Sequence, residues 1–279
     1  MEIIVPVYNA FSETVTCLSA LERCLPEAWT VQVIDDASTD KRLSAYLNER
    51  SRLAIAGWTF ITQPVNHGFV RTVNAAAART QDDIVLLNSD TIPTRGCFHA
   101  LARCLRSAPD IATATPFSNN AEICSLPVFC QPNPAADDPD ALAAILTRDY
   151  APVYPDIPTA VGFCMAIKRA VIDGIGAFDA ETFGRGYGEE NDFCRRAVAA
   201  GFRNVLCDNA YVAHVGNASF SDVAERPSRA SLERVLRKHP DYEQLVAEFI
   251  AADPLRPVRN AVLDLLATQG IVLQPGAVH

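Results

Sequence analysis

Short apolar runs alternate with amphipathic stretches over the first hundred residues. Four runs rich in β-branched and aliphatic residues predict buried strands: EIIVPV, VQVIDD, WTFITQ and DIVLLN. Between them apolar side chains recur at helical spacing, first at Val15, Leu18, Leu21 and Leu25. Ser38 or Thr39 is placed to cap the helix after the second strand. This alternation predicts an α/β fold with a Rossmann-like, mostly parallel sheet and helices on both faces.

The pattern is less regular from about residue 106 to 225, and it turns helical after that. IATATP and TAVGFCMAI predict further strands, and the Pro- and Asp-rich segment FCQPNPAADDPDA leads into a helix. Prolines then punctuate three apolar helical patterns near the end of the chain. We therefore expect one domain over residues 1–225, with halves at 1–105 and 106–225, followed by a helical extension over 226–279.

Composition narrows the class of protein. An apolar content of 49% supports a sizeable core, and the net charge of −9 with scattered basic residues argues against a nucleic-acid partner. The nine cysteines include no C-x-x-C pair, which favours reduced thiols in a cytoplasmic protein. No signal peptide is evident, and no apolar stretch reaches the roughly 18 residues of a membrane span. Peripheral docking at the inner face of a membrane is compatible with these features.

Polar residues follow three of the predicted strands. They are Pro6, Tyr8 and Asn9 after the first, Asp35 and Asp36 after the second, and Asn88, Ser89, Asp90 and Thr91 after the fourth. Turn formation and helix capping explain any one group alone, and especially Asp35. Three groups at one sheet edge predict a ligand site. Neither G-x-G-x-x-G nor G-x-x-x-x-G-K-[ST] is present, so a bound diphosphate needs other neutralisation, such as a divalent cation held by Asp90.

Six segments in order carry a family resemblance: VPVYNA, VIDDASTD, NHGFVRTVN, LLNSDT, FGRGYGEENDFCRR and HVGNASF. Together they resemble the inverting nucleotide-sugar glycosyltransferases of the GT-A fold, glycosyltransferase family 2, and are compatible with a rhamnosyltransferase-like subgroup. The resemblance covers about residues 1–220. It implies a nucleotide-binding half over 1–105, an acceptor-binding half over 106–225, a UDP-, dTDP- or GDP-sugar donor, and a glycan or lipid-linked acceptor in cell-surface polysaccharide or glycan assembly.

The resemblance also assigns residues on the donor side. Pro6, Tyr8 and Asn9 border the base and ribose pocket, and Asp36, with Asp35 beside it, accepts hydrogen bonds from the base or ribose. Gly68 lets the backbone approach the nucleotide, and Arg71 meets phosphate. Asn88, Ser89 and Asp90 occupy the place of the family's D-x-D, with Asp90 the ligand of Mg²⁺ or Mn²⁺. Asn88 replaces the first Asp and brings no charge. His214 completes the metal site or touches the diphosphate.

Three acids lie just after Gly188, and helical spacing separates them. Glu190 shares a face with Phe193, Cys194 and Ala197, which predicts that it points toward the body of the protein. Glu189 shares its helix face with Asp192 and Arg196, and we expect this mixed-charge face to be more exposed to solvent. Inverting sugar transfer needs a base for the acceptor hydroxyl. The resemblance places that base at Glu190, where Glu replaces the commoner Asp, and leaves Asp192 to orient the loop or bind acceptor, paired with Arg195.

Two other classes of protein are weighed against the transferase. A sugar-nucleotide nucleotidyltransferase needs a Gly-rich, basic loop after the first strand, and VPVYNA has none. A non-catalytic nucleotide-sugar binding module would lack a base or metal residue, and both candidates are present. The helical extension has two interpretations, a cap over the acceptor half or an apolar face for a partner or membrane. Gly216, Ser219 and Phe220 are expected to form a closing loop.

Overall fold

The computed structural model describes residues 1–216 and 229–276, which form a layered α/β arrangement. The strands are β1 (Glu2–Val7), β2 (Thr30–Asp35), β3 (Trp58–Thr62), β4 (Ile84–Leu87), β5 (Thr91–Pro93), β6 (Ile111–Phe117), β7 (Asp156–Ile157), β8 (Cys164–Ile167) and β9 (Arg203–His214). The helices are α1 (Phe11–Cys24), α2 (Lys41–Arg52), α3 (Phe69–Ala77), α4 (Cys97–Ser107), α5 (Pro139–Asp149), α6 (Arg169–Ile175), α7 (Ala180–Phe183), α8 (Glu189–Ala199), α9 (Arg229–Lys238), α10 (Tyr242–Ala252) and α11 (Arg256–Thr268).

Within the described residues the strands form one mixed sheet in the order β3-β2-β1-β4-β8-β6-β9-β5, with β7 paired to β9. The first four strands along the chain are parallel neighbours, as their alternation with helices predicts. Strand β8 runs antiparallel between β4 and β6, and β5 and β7 both run antiparallel to β9. The parallel half therefore carries the first hundred residues, and the second half mixes both directions.

Helices cover both faces of the sheet, and the pleat divides the core between them. In β1, Ile3 and Val5 join one fully buried cluster with Phe98 of α4, and Ile4 joins the other cluster with Phe193 of α8. This is the period of two that places successive strand side chains on opposite faces. The α/β class predicted from the sequence is confirmed.

The start of α2 differs from the prediction. Asp40, not Ser38 or Thr39, caps the helix, and its carboxylate accepts from the Arg42 N–H at 2.9 Å. Ser38 Oγ instead accepts from the Asn9 N–H at 2.8 Å, and Asn9 Oδ1 accepts from the N–H of Thr39 at 2.9 Å. These residues tie the loop after β2 to the loop after β1, so both loops are held at the same sheet edge.

The C-terminal helices pack onto the body of the protein. Leu255, Val262 and Leu266 are buried in the same cluster as the central strands, and α11 contacts α5. Val235 and Tyr242 join the cluster on the other face, where α9 lies against α8 and α7. This packing is that of a cap on the domain. None of the helices in the described ranges has the length and apolar character needed to cross a membrane.

Candidate active site

A cavity of about 910 Å³ opens at the carboxyl ends of β1, β2 and β4. Many of the residues singled out in the sequence lie on its wall: Pro6, Tyr8, Asp36, Gly68, Asn88, Ser89, Asp90, Glu189, Glu190 and His214. This is the edge at which parallel α/β sheets bind ligands. The predicted metal ligand Asp90 and the predicted base Glu190 therefore line one cavity, although a hundred residues separate them.

The loop after β3 is fastened to the end of β2. Both carboxylate oxygens of Asp36 accept backbone N–H groups, from His67 at 2.8 Å and from Gly68 at 2.8 Å. Gly68 has φ of 82°, and a Cβ atom there would lie 2.8 Å from the Cα of Arg185. The Phe69 N–H also donates to the Arg185 carbonyl at 3.1 Å. Gly68 is thus required by the close passage of the Arg185 backbone, a reason that the sequence did not suggest.

Pairing of β5 with β9 brings Asp90 to His214. Thr91 stands opposite His214 in the ladder, and the Val215 N–H donates to the Asp90 carbonyl at 3.0 Å. As a result His214 Nε2 lies 3.5 Å from Asp90 Oδ1. His214 Nδ1 is 2.6 Å from the Asn120 carbonyl oxygen, which can only accept, so Nδ1 carries a proton and Nε2 faces the carboxylate.

The neighbours of His214 fix the position of its imidazole ring and shift its pKa. The ring of Phe163 stacks on His214 with centroids 5.2 Å apart. Burial alone would lower the pKa of His214, but the interactions with Asp90 and the Asn120 carbonyl raise it above its ordinary value. The imidazole thus stands where its Nε2 and the Asp90 carboxylate face the same part of the cavity.

The donor atoms of this corner fit a divalent ion that is shared with a ligand. Among residues 1–216 and 229–276, no group of three or more His, Cys, Asp or Glu side chains could hold a metal ion by itself. Asp90 and His214 offer one carboxylate and one imidazole, and the Nδ1–H bond to Asn120 is the kind that orients a ligating histidine. Mg²⁺ and Mn²⁺ accept such a partial set when substrate oxygens and water complete it.

Two carboxyl groups open α8, directly after Gly188. Gly188 has φ of 104° and precedes the first turn, as the sequence predicted for the helix start. Glu189 is only 5% exposed and Glu190 is half-buried. In each side chain Oε2 is buried and has no hydrogen-bond partner among the described residues. Two carboxyl groups in these surroundings are poorly solvated, which penalises charge on both.

Burial raises the pKa of Glu190 to about 7, and it raises the pKa of Glu189 well above its ordinary value, with the neighbouring Glu190 charge adding to the effect. The two carboxyl groups are therefore coupled, since the charge of Glu190 disfavours ionisation of Glu189. Glu189 acts to lower the pKa of Glu190, whereas the Glu190 charge raises the pKa of Glu189, so Glu190 is the member that more readily carries the charge.

The expectation that the α8 face with Glu189 and Asp192 is exposed to solvent is wrong. Glu189 and Asp192 are both buried, because α9 covers the face that they share. Asp192 accepts from Arg196 Nε at 2.8 Å, and Lys238 Nζ and His239 Nε2 lie 2.7 Å and 2.8 Å from its Oδ1. The expected pairing of Asp192 with Arg195 is also wrong.

Arg195 instead pairs with Asp241, at 2.7 Å. Asp192 therefore fastens the C-terminal extension to α8, and it does not line the cavity.

Three other singled-out residues lie off the cavity wall. Asn9 holds the β1 and β2 loops together, and Asp35 Oδ1 accepts from the Ser38 N–H at 2.9 Å, the turn role that the sequence left open for it. Arg71 pairs with Glu181 at 2.9 Å on the surface. Gly216 lies on the wall, and Ser219 and Phe220 lie outside the described residues.

The cavity wall also includes residues that the sequence did not single out. They are Asn66, Phe163, Arg185, Glu122, Leu232, Leu236, Tyr242 and Glu243, among others. Arg185 sits inside a quoted motif, where its charge was the available signal. The residues of α9 and α10 showed only helical periodicity, which does not say what a helix will pack against.

The fold is that of the GT-A glycosyltransferases. Three solved structures are similar to it: GalNAc-T7 with UDP, GalNAc and Mn²⁺ (TM-score 0.66, 13% identity, 97% of this chain and 55% of that chain); the mannosyltransferase PcManGT from Pyrobaculum calidifontis in complex with GDP-Man and Mn²⁺ (0.55, 16%, 99% and 76%); and S. aureus TarS 1–349 in complex with UDP-GlcNAc (0.56, 15%, 95% and 80%). This chain thus spans about half of the GalNAc-T7 chain.

The family model described as Glycosyl transferase family 2 matches residues 2–176, and the chain belongs to that family. A search of curated proteins found no match to the sequence. The matched range includes Asp36 and Asp90 and ends before α8. The acidic pair and the C-terminal helices therefore lie outside the family match.

Proposed function

We propose that the chain transfers a sugar from a nucleoside diphosphate donor to an acceptor hydroxyl, with inversion at the anomeric carbon and Glu190 as the base. One observation carries the proposal: Asp90 and His214 line the same cavity as an acidic pair, at the ligand-binding edge of a family 2 sheet. The similar structures with UDP, GDP-Man and UDP-GlcNAc support a nucleotide-sugar donor, for which UDP-, dTDP- and GDP-sugars are the candidates.

On the donor side, Pro6, Tyr8 and Asp36 border the base and ribose, and the diphosphate lies toward Asp90. Asp90 and His214 would hold Mg²⁺ or Mn²⁺, which supplies charge stabilisation for the departing diphosphate when bound. Asn88 is uncharged, so the metal site is less negative than it would be with a second Asp at this position. Asp90 is therefore the principal anionic ligand.

On the acceptor side, the Glu190 carboxylate takes the proton of the attacking hydroxyl. A raised pKa makes a carboxylate a stronger proton acceptor, and a value of about 7 leaves a large ionised fraction at neutral pH. The neighbouring Glu189 ionises less readily while Glu190 is charged, so the two buried acids need not both carry charge. We place the reaction in cell-surface polysaccharide or glycan assembly, on a glycan or lipid-linked acceptor, as the family resemblance implies.

The experiment screens sugar nucleotides by thermal shift with and without Mn²⁺, and then follows labelled sugar from the best donor into product and into water. Asp90→Ala is expected to lose metal-dependent donor binding. Glu190→Gln is expected to keep donor binding and to lose transfer by about 10²- to 10⁴-fold. Glu181→Gln, which alters an exposed glutamate outside the cavity, is the matched control.

Transfer by Glu190→Gln at the wild-type rate would contradict the assignment of the base. Donor binding without transfer or hydrolysis in the unaltered chain would instead favour a non-catalytic binding module. A sugar-nucleotide nucleotidyltransferase is disfavoured by family membership and by the absence of a Gly-rich basic loop after β1.

A further inference from the structure

The C-terminal extension forms one side of the cavity. Its contribution comes from α9 and the start of α10, with Leu232, Glu233, Leu236, Tyr242 and Glu243 on the wall. None of these residues falls within the family match over residues 2–176. They line the same cavity as the donor-side residues at the strand ends, and α9 packs on α8, which begins after Gly188.

This wall is fixed to the helix that carries the acidic pair. Gly188 is so close to α9 that a Cβ atom there would lie 2.7 Å from Val235 Cγ2. Lys238 Nζ lies 2.7 Å from Asp192 and 2.8 Å from Asp179, and both Val235 and Tyr242 are buried. The negative charge of Glu190 also raises the pKa of Tyr242, after burial, so the two side chains are within electrostatic reach. A molecule seated on this wall would lie beside Glu190.

The wall combines apolar surface with carboxylates. Leu232 and Leu236 are half-buried and one helical turn apart, while Glu233 and Glu243 are exposed beside them, and Glu122 adds a third carboxylate on the cavity. The C–H faces and hydroxyl groups of a sugar suit such a mixed surface. Like charges facing each other repel, so this wall disfavours phosphate or carboxylate on the bound sugar.

The positive charges of α9 offset this character only at Glu233, which is paired with Arg229. Lys238 is engaged with Asp179 and Asp192, and Arg229 Nε lies 3.4 Å from Glu233. The charge of Arg234 opposes the rise in the pKa of Glu189 that burial causes, so Arg234 lies within electrostatic reach of that carboxyl group. The described contacts of Lys238, Arg229 and Arg234 thus direct these three cations to carboxylates of the chain itself.

We propose that Leu232, Leu236, Tyr242 and the carboxylates of Glu233 and Glu243 bind the acceptor, and that the acceptor ends in a sugar with no anionic group near the attacking hydroxyl. The inference rests on the proposed function, because inversion requires the acceptor to approach from the side of the base, opposite the leaving diphosphate. It adds the acceptor class and the elements that select it.

The test offers two probes that differ only in the group on C5 of the sugar: p-nitrophenyl β-D-glucoside, which carries a hydroxymethyl group there, and p-nitrophenyl β-D-glucuronide, which carries a carboxylate. Transfer is measured with the donor chosen by the thermal-shift screen, and each rate is divided by that enzyme's donor hydrolysis rate. We expect kcat/KM for the glucuronide to be at least about fivefold below that for the glucoside. The double variant Glu233→Gln, Glu243→Gln should reduce this gap to about twofold or less.

Glu248→Gln is the matched control, since Glu248 lies on α10 bonded to Gln244 and away from the cavity, and it should leave the gap unchanged. Equal or better use of the glucuronide by the unaltered chain would overturn the proposal. So would an unchanged gap in the double variant, or transfer to neither probe while donor hydrolysis continues. Loss of donor hydrolysis itself would count against the proposed function, so the two failures are distinguishable.

Discussion

Lys238 connects the C-terminal extension to α8, the helix that carries the acidic pair. Its replacement by Met tests how much this connection contributes to the free energy of unfolding. The Lys238 side chain is 30% exposed, and its Nζ contacts Asp192, whose side chain is 0% exposed, and Asp179. Lys238→Met keeps the alkyl chain and removes the charge. The buried Asp192 carboxylate then retains only Arg196 and His239.

The magnitude follows from the two contacts that are lost. A hydrogen bond to a charged group contributes about 1.5–3 kcal/mol, and the contact with the partly exposed Asp179 lies at the low end because solvent screens it. We expect Lys238→Met to lower the free energy of unfolding by about 2–4 kcal/mol. For a chain of this size each kcal/mol lowers Tm by about 2–4 °C, so Tm should fall by roughly 5–15 °C.

Urea and thermal unfolding followed by far-ultraviolet circular dichroism measure both quantities. Asp241→Asn is the matched control, because the Arg195–Asp241 pair joins the same two parts of the fold while Asp241 is 64% exposed. Its loss should cost no more than about 1 kcal/mol. The reasoning is refuted if Lys238→Met and Asp241→Asn unfold alike.

The contacts of Asp192 with Lys238, His239 and Arg196 also make the free energy of unfolding depend on pH. Burial would raise the pKa of Asp192, but the hydrogen bonds from Lys238, His239 and Arg196 outweigh it and hold the pKa below its usual value. A depressed carboxyl pKa contributes stability above the unfolded pKa of about 4, and that contribution is lost as pH falls through the folded pKa. Lys238→Met should therefore show a shallower loss of stability between about pH 5 and pH 2 than the unaltered chain.

Two further predictions concern the active site. Because the pKa of Glu190 is about 7 and the base must be ionised, kcat/KM for transfer should rise with pH and level off above about 7, and a flat profile from about pH 5 to 8 would contradict its role. Gly188→Ala places a Cβ atom 2.7 Å from Val235 at φ of 104°, so it should destabilise the fold by about 1–3 kcal/mol in urea unfolding, whereas Gly174→Ala, with no atom within 4 Å, should be neutral or slightly stabilising.

The strands of the first half were predictable because each is a short apolar run between helical patterns. β1, β2, β3 and β4 match the predicted runs to within a residue or two. The full length of strand β9 was not predicted, because it carries buried Asn204, Asp208 and Asn209 among its apolar positions. Asn204 and Asp208 have partners far along the chain, Thr113 and the Val153 N–H, and a local pattern does not contain them.

The candidate active site, like the fold, was predictable from the sequence only in part. Residues at the ends of β1, β2 and β4 were predictable as neighbours because parallel strands end at one edge, and most of them line the cavity. The same polar types also close turns, which is how Asn9 and Asp35 are used. Helical spacing placed Glu190 toward the protein, but it could not show that α9 buries the opposite face with Glu189 and Asp192.

The two sides of the cavity are therefore specified by different kinds of sequence information. The donor side follows from strand ends within the family match, whereas the other wall depends on contacts between α8 and helices that lie outside that match. A chain of the same family could change its wall by changing α9 and α10, but only if the new helix supplied a partner for a carboxylate at position 192. An unpaired charge buried there would cost several kcal/mol. Acceptor choice and stability are thus linked through one buried carboxylate in this protein.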